Sequence, residues 1–163
     1  MSRIDELQQE AVELLQGVIN TPSLSGEEDQ TAALIKKWLE KHGVSCKQQQ
    51  NNVYAINKHE DPSKPYLLLN SHHDTVLPNS GYTRDPYKAA IENGKLYGLG
   101  RNDAGGALVC LLATFIYFYE QKDMAYNLVV AATAEEETSG DYGLNSLLLS
   151  LIHISDPTRP LEI

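Results

Sequence analysis

The chain has 163 residues and a formal charge of −9, with 42% hydrophobic and 21% charged residues. That length supports one domain with a real core, and not comfortably two. The acidity argues against nucleic acid or an anionic membrane as partner, and no apolar run approaches a membrane span. The opening Met1–Glu6 is polar and acidic with no apolar segment after it, and Cys46 and Cys110 match no metal or redox spacing. A secretory signal is therefore not expected, and a reducing cytoplasm with two free thiols is.

Ser2 and Asp5 have capping-box spacing, and Ile4, Leu7, Ala11, Leu14 and Val18 then recur at helical intervals. This predicts an amphipathic helix from Arg3 to about Asn20, ended by Thr21-Pro22. A second start signal, Ser25-Gly-Glu-Glu28, precedes a helix lined by Ala32, Ile35, Trp38 and Leu39 and stopped by Gly43. Short strands are expected near Ser45–Gln49 and Asn52–Ile56, then a buried strand over Tyr66–Asn70. Lys88–Ile91 and Lys95–Leu99 flank Asn93-Gly94, a strong hairpin signal. Asp103 precedes a helical stretch reaching about Glu120, and Asn127–Ala132 reads as another buried strand. The alternation implies an α/β fold with a mostly parallel central sheet, some antiparallel additions and flanking helices.

Three polar clusters fall just past the carboxyl ends of buried strands or at the start of a helix, where α/β sheets build their sites. They are Ser71-His72-His73-Asp74-Thr75-Val76, Gly100-Arg-Asn-Asp103-Ala-Gly-Gly106 and Thr133-Ala-Glu135-Glu136-Glu137-Thr-Ser-Gly140. Singly, each has an ordinary explanation: a hydrogen-bonded loop, a helix N-cap at Asp103, a solvated acidic turn. Together they point elsewhere. Adjacent carboxylates at the end of a buried strand repel unless something cationic sits among them. Imidazole and carboxylate are ligands for zinc or a similar ion, and an Asp two residues after a His can fix the ring's tautomer.

On these clusters, and on Thr21–Glu28 (Thr-Pro-Ser-Leu-Ser-Gly-Glu-Glu), the chain resembles acetylornithine deacetylases, succinyl-diaminopimelate desuccinylases, aminoacylases and related two-metal metallopeptidases, from about Leu14 to Leu148. The resemblance implies a zinc-exopeptidase-like catalytic domain holding two Zn²⁺, with Co²⁺ as an alternative. It makes His72, Asp103 and Glu137 metal ligands, with Asp103 bridging the two ions, Asp74 the carboxylate that orients His72, and Glu136 the general base. Glu135 takes the leading acidic position, and His73 is expected to stay off the metal. Arg101 and Asp103 stand one residue closer than in the commonest family pattern, and the following Gly-Gly fixes the assignment. The implied reaction is hydrolysis of the amide of an N-acyl amino acid, with acetylornithine as the leading substrate and a homodimer as the complete assembly.

Members of that family are longer, and their further acidic and histidine ligands are not securely present in this chain. The end Leu149–Arg159 does not resemble the family. It resembles the translation of a transposon end used in preparing sequencing libraries. Residues 1–148 are therefore expected to be the N-terminal part of the catalytic domain and 149–163 a non-native tail, which sets aside His153 and Glu162 as ligands.

Overall fold

The computed structural model describes residues 2–155, with side chains to Leu151. Helix α1 (Arg3–Ile19) opens on the expected capping box: the Ser2 hydroxyl accepts from the Asp5 amide at 3.2 Å, and the Asp5 carboxylate accepts from the Ser2 amide at 2.9 Å. Two otherwise orphaned amides are satisfied reciprocally. Its apolar stripe buries Leu7, Ala11, Leu14, Leu15, Val18 and Ile19. Helix α2 (Asp29–Lys41) buries Ala32, Ile35, Trp38 and Leu39, but the capping box expected at Ser25 is not formed. Glu28 occupies the cap position without a side-chain cap, and the Ser25 hydroxyl donates to Asp74 instead. Both side chains are drawn away from the helix by stronger partners in the interior.

Strands β1 (Cys46–Gln49) and β2 (Asn52–Ile56) form a hairpin through Gln50 and Asn51. Strand β3 (Tyr66–His72) follows, then the small hairpin β4 (Ala90–Glu92) and β5 (Lys95–Tyr97). Asn93 and Gly94 turn that hairpin with φ of 51° and 73°, the positive values a two-residue turn of this kind demands. Helix α3 (Gly106–Phe118), strand β6 (Asn127–Thr133) and helix α4 (Leu144–Ser155) complete the described elements.

The main sheet has the order β1-β2-β6-β3. The α/β class holds, with α1, α2 and α3 in one core with β2 and β6, while Leu147 of α4 packs in a second cluster with Tyr54 and Ala131. The proportion of parallel pairing is corrected: among the described strands only β3 and β6 run parallel, while β1–β2 and β2–β6 are antiparallel. A two-residue turn can only return a strand antiparallel, whereas α3 supplies the long crossover that parallel pairing needs. Strand β6 is buried throughout. Strand β3 lies at the sheet edge among the described residues, and Leu67 on it is 45% exposed, so it is only half as buried as its sequence suggests.

Buried amides tie this frame together. Asn52 is fully buried; its Oδ1 accepts from the Ala134 amide at 3.0 Å and its Nδ2 donates to the Tyr142 carbonyl at 2.6 Å and the Gln49 carbonyl at 3.2 Å. Asn52→Ala strands the Ala134 amide without an acceptor and is expected to lower unfolding free energy by about 1–3 kcal/mol, read from urea denaturation. An unchanged midpoint would show that water or a shifted loop replaces these bonds.

Candidate metal centre

The parallel register sets the site. His72, the last residue of β3, lies opposite Thr133, the last residue of β6. The polar segments that follow each strand therefore leave the sheet side by side. The third contributor is the wide turn Arg101–Gly105 before α3. Gly100 enters it at φ 72°, and a Cβ there would stand 2.7 Å from Thr75 Cγ2. The helix expected from Asp103 begins only at Gly106. Asp103 has extended backbone (φ −124°, ψ 96°), followed by a cis peptide to Ala104, and does not cap α3.

Freed from capping, Asp103 meets His72: Nε2 lies 3.2 Å from Asp103 Oδ1 and 3.7 Å from Glu136 Oε2. Ligand atoms of His72, Asp103 and Glu137 all lie within 4.8 Å of one another. On its other side the His72 ring donates from Nδ1 to Asp74 Oδ1 at 3.2 Å, which leaves Nε2 facing the cluster. Asp74 is completely buried. Its Oδ1 also accepts from the Glu136 amide at 3.1 Å, and its Oδ2 from the Glu137 amide at 3.0 Å and the Ser25 hydroxyl at 2.7 Å.

Burial alone would push the Asp74 carboxyl up, but the bonds from His72, Ser25 and the two amides outweigh it and hold the pKa at about 2. The His72 imidazole is pushed up to about 9, chiefly by its bond to Asp74; burial opposes this, and Asp103 and Glu136 add to it. Partial burial raises Glu137, and the neighbouring carboxylates of Asp103, Asp74 and Glu136 raise it further, against the pull of His72. Four carboxylates, those of Asp74, Asp103, Glu136 and Glu137, thus crowd one imidazole whose extra proton balances part of their charge. A first-row divalent ion would supply that positive charge and displace the proton, so the donor set fits such an ion.

His73 faces away from the cluster. Its Nε2 donates to the Asn51 carbonyl at 3.0 Å, Nδ1 lies 2.8 Å from Thr31 Oγ1, and burial pushes its pKa down. Glu135, at φ 55°, bends back to accept from the Tyr142 amide at 3.1 Å. The side chain of His153 and all of Glu162 lie outside the described residues. Reasoning from sequence missed Ser25 and Glu28 as parts of this centre. The Thr21–Glu28 motif was the available signal, but its spacing reads as a helix start.

Beside Asp103 and Glu137 opens a cleft of about 350 Å³, lined also by Thr75, Tyr82, Arg101 and Asn102, a volume suited to a small ligand. Among the described residues no helix is long and apolar enough to cross a membrane.

Comparison with known proteins identifies the family and the fold. The chain is 28% identical over 145 residues to a succinyl-diaminopimelate desuccinylase of Rickettsia bellii, covering 82% of this chain and 36% of the relative. It is 33% identical over 140 residues to an acetylornithine deacetylase of Shigella sonnei, covering 78% of this chain and again 36% of the relative. The chain thus spans little more than a third of these curated relatives. Its fold matches human carnosine dipeptidase 1 (TM-score 0.70, 22% identity, 93% of this chain and 37% of that one). It also matches the Bacillus subtilis YXEP protein, a dinuclear metal binding peptidase from the M20 family (TM-score 0.67, 16% identity, 91% and 41%). The pattern of Peptidase family M20/M25/M40 matches residues 68–161, a stretch that includes His72, Asp103 and Glu135–Glu137. The chain belongs to Peptidase family M20/M25/M40.

Proposed function

We propose that this chain is the front part of a two-metal amidohydrolase that removes the acyl group from an N-acyl amino acid, with acetylornithine as the leading substrate. The observation that carries the reading is the convergence of His72, Asp103 and Glu137 within 4.8 Å, with the buried Asp74 behind the histidine. Likeness to the Shigella sonnei deacetylase supports the substrate class. Likeness to the Rickettsia bellii desuccinylase supports a second reading, a succinylated diamino acid, and the fold shared with human carnosine dipeptidase 1 a third, a dipeptide. All three substrates carry a linear amide beside an amino-acid carboxylate, and the cleft next to Asp103 is where it would lie.

In this reading His72, Asp103 and Glu137 would be the residues of this chain that hold the ions. Two bound divalent ions would polarise the scissile carbonyl and make a water acidic enough to ionise near neutral pH. Asp74 keeps the His72 ring in the tautomer that presents Nε2. The Glu136 carboxylate, 61% exposed and facing the cluster, takes the water's proton and returns it to the leaving amine. Both thiols are free, which suits the reducing cytoplasm proposed for the enzyme. The complete protein is proposed to be a homodimer.

Residues 149–163 belong to the proposal as a non-native tail, with 1–148 the catalytic portion. The family match itself runs on to residue 161, so the gene sequence decides. A longer reading frame that leaves the present sequence near Leu148 supports the proposal, and one that continues through Arg159 refutes it. If the tail is foreign, the chain has too few ligands for two ions, and the 163 residues alone are expected to show no measurable deacylation of acetylornithine with added zinc. Metal-dependent turnover abolished by Glu136→Gln would show that this chain completes the site itself.

In the complete protein, His72→Ala and Glu137→Ala should each reduce bound metal, and unchanged stoichiometry in both refutes the ligand assignment. Glu136→Gln should keep the metal and lose roughly 10²-fold or more in turnover. Should Glu135→Gln be the crippling change instead, the base and ligand are each one residue earlier.

His72 is protonated in the metal-free chain up to about pH 9, against an ordinary 6.5. Zinc binding at pH 7.5 should therefore release about one proton, measured by calorimetry in buffers of different ionisation enthalpy. Without metal, the contribution of the His72–Asp74 pair to stability is lost as pH falls from 3.8 to about 2, is full between pH 3.8 and 6.5, and is lost as pH rises through about 9. His72→Asn should flatten that decline.

A further inference from the structure

Three consecutive amides of the acidic loop are each held by a buried carboxylate. Those of Glu136 and Glu137 donate to Asp74, and that of Glu135 donates to Glu28 Oε1 at 3.1 Å. The left-handed backbone at Glu135 (φ 55°) helps turn successive amides toward one side, a concavity suited to anions.

Glu28 is 0% exposed and forms no ion pair among the described residues. A carboxylate so buried is costly unless hydrogen bonds replace its water. Here Oε1 also accepts from the Gly26 amide at 2.8 Å and Oε2 from Asn51 Nδ2 at 2.8 Å. The three donors come from three segments: the loop before α2, the β1–β2 turn and the acidic loop.

We propose that Glu28 is a positioning residue for the metal-binding and proton-accepting carboxylates. Its Oε1 fixes the start of the Glu135–Glu137 arc while Asp74 fixes the end, and the two together set how far Glu136 and Glu137 reach toward His72. The inference rests on the two-metal reading of the site, but the grip on the Glu135 amide can be measured without it.

The test uses the 163-residue chain, zinc titrated against a chromophoric chelator, amide hydrogen exchange at Glu135–Glu137, and melting without metal. Glu28→Gln keeps an oxygen for the Glu135 and Gly26 amides, and the Asn51 amide can turn its own oxygen toward the new NH₂. Glu28→Asp keeps the charge but draws the acceptor back by one carbon–carbon bond, roughly 1.5 Å. The expected result is zinc affinity within about threefold of wild type for Glu28→Gln and weaker by about tenfold or more for Glu28→Asp, the range found when groups behind a ligand are lost. Exchange at Glu135 should quicken only in Glu28→Asp.

Wild-type affinity and exchange in Glu28→Asp would overturn the proposal. So would the reverse order of the two variants, which would make charge rather than reach the property that matters. A chain that takes up no zinc overturns the three-residue site of this chain and not Glu28, and exchange at Glu135 then decides on Glu28 by the same comparison. If Glu28→Asp does not fold, the wild-type chain still decides, because a Glu135 amide exchanging as fast as an open loop refutes the grip.

Discussion

The site depends on one buried carboxylate. Asp74 accepts from His72 Nδ1, from the Ser25 hydroxyl and from the amides of Glu136 and Glu137. A lone carboxylate at zero exposure would protonate, but four donors keep it ionised. An anion fixed on all sides can then orient what surrounds it. It aligns the His72 ring, and it pins the backbone of the loop whose side chains face that ring.

The donors come from three stretches far apart in sequence, at Ser25, His72 and Glu136–Glu137, and the fold brings them together. Parallel pairing of β3 with β6 places the segment after His72 beside the one after Thr133. The N-terminal loop is then stitched on: the Ser23 hydroxyl donates to the His73 carbonyl at 2.8 Å, the Thr75 amide donates to the Ser23 carbonyl at 2.8 Å, and Leu24 bridges Thr75. That stitching carries Ser25 to Asp74 and Glu28 to the acidic loop. The stretch Ser23–Glu28 thus forms a wall of the centre, although helix start signals dominate its sequence.

What the sequence reveals and what it hides follow from the range of the interactions. Helix α1 is legible to within a residue because its capping box and apolar stripe are local, and Asn93-Gly94 marks its turn for the same reason. That the three polar clusters share one site was legible from their places at strand and helix ends, but the choice of His72, Asp103 and Glu137 within them came from the resemblance, since nothing in the spacing alone says that residues 31 and 34 positions apart will meet. Ser25 was misassigned because its capping spacing is real but loses to a buried, charged acceptor about fifty positions away. A hydrogen bond to a carboxylate is worth more than one to an exposed helix amide, and no local pattern shows that the carboxylate is near. The start of α3 was misplaced likewise, because Asp103 has the residue type of a cap but stands two residues before the actual cap, Gly105. The share of antiparallel pairing was underestimated because short strands do not announce their direction of pairing.

Electrostatics completes the argument from the opposite direction. Asp103, Glu136 and Glu137 lie around His72, and of these side chains Asp103 is 81% and Glu136 61% exposed. Their repulsion is largely screened by solvent, so the cluster costs the fold little. Asp74 lies behind the ring where solvent does not reach, and its charge is fully expressed there. The centre thus has a rigid, desolvated anionic base and a wet, acidic rim, with one imidazole between them. That order would suit the metal site proposed above: the base holds the His72 ring in place, and the exposed carboxylates of the rim leave room for a cation among them.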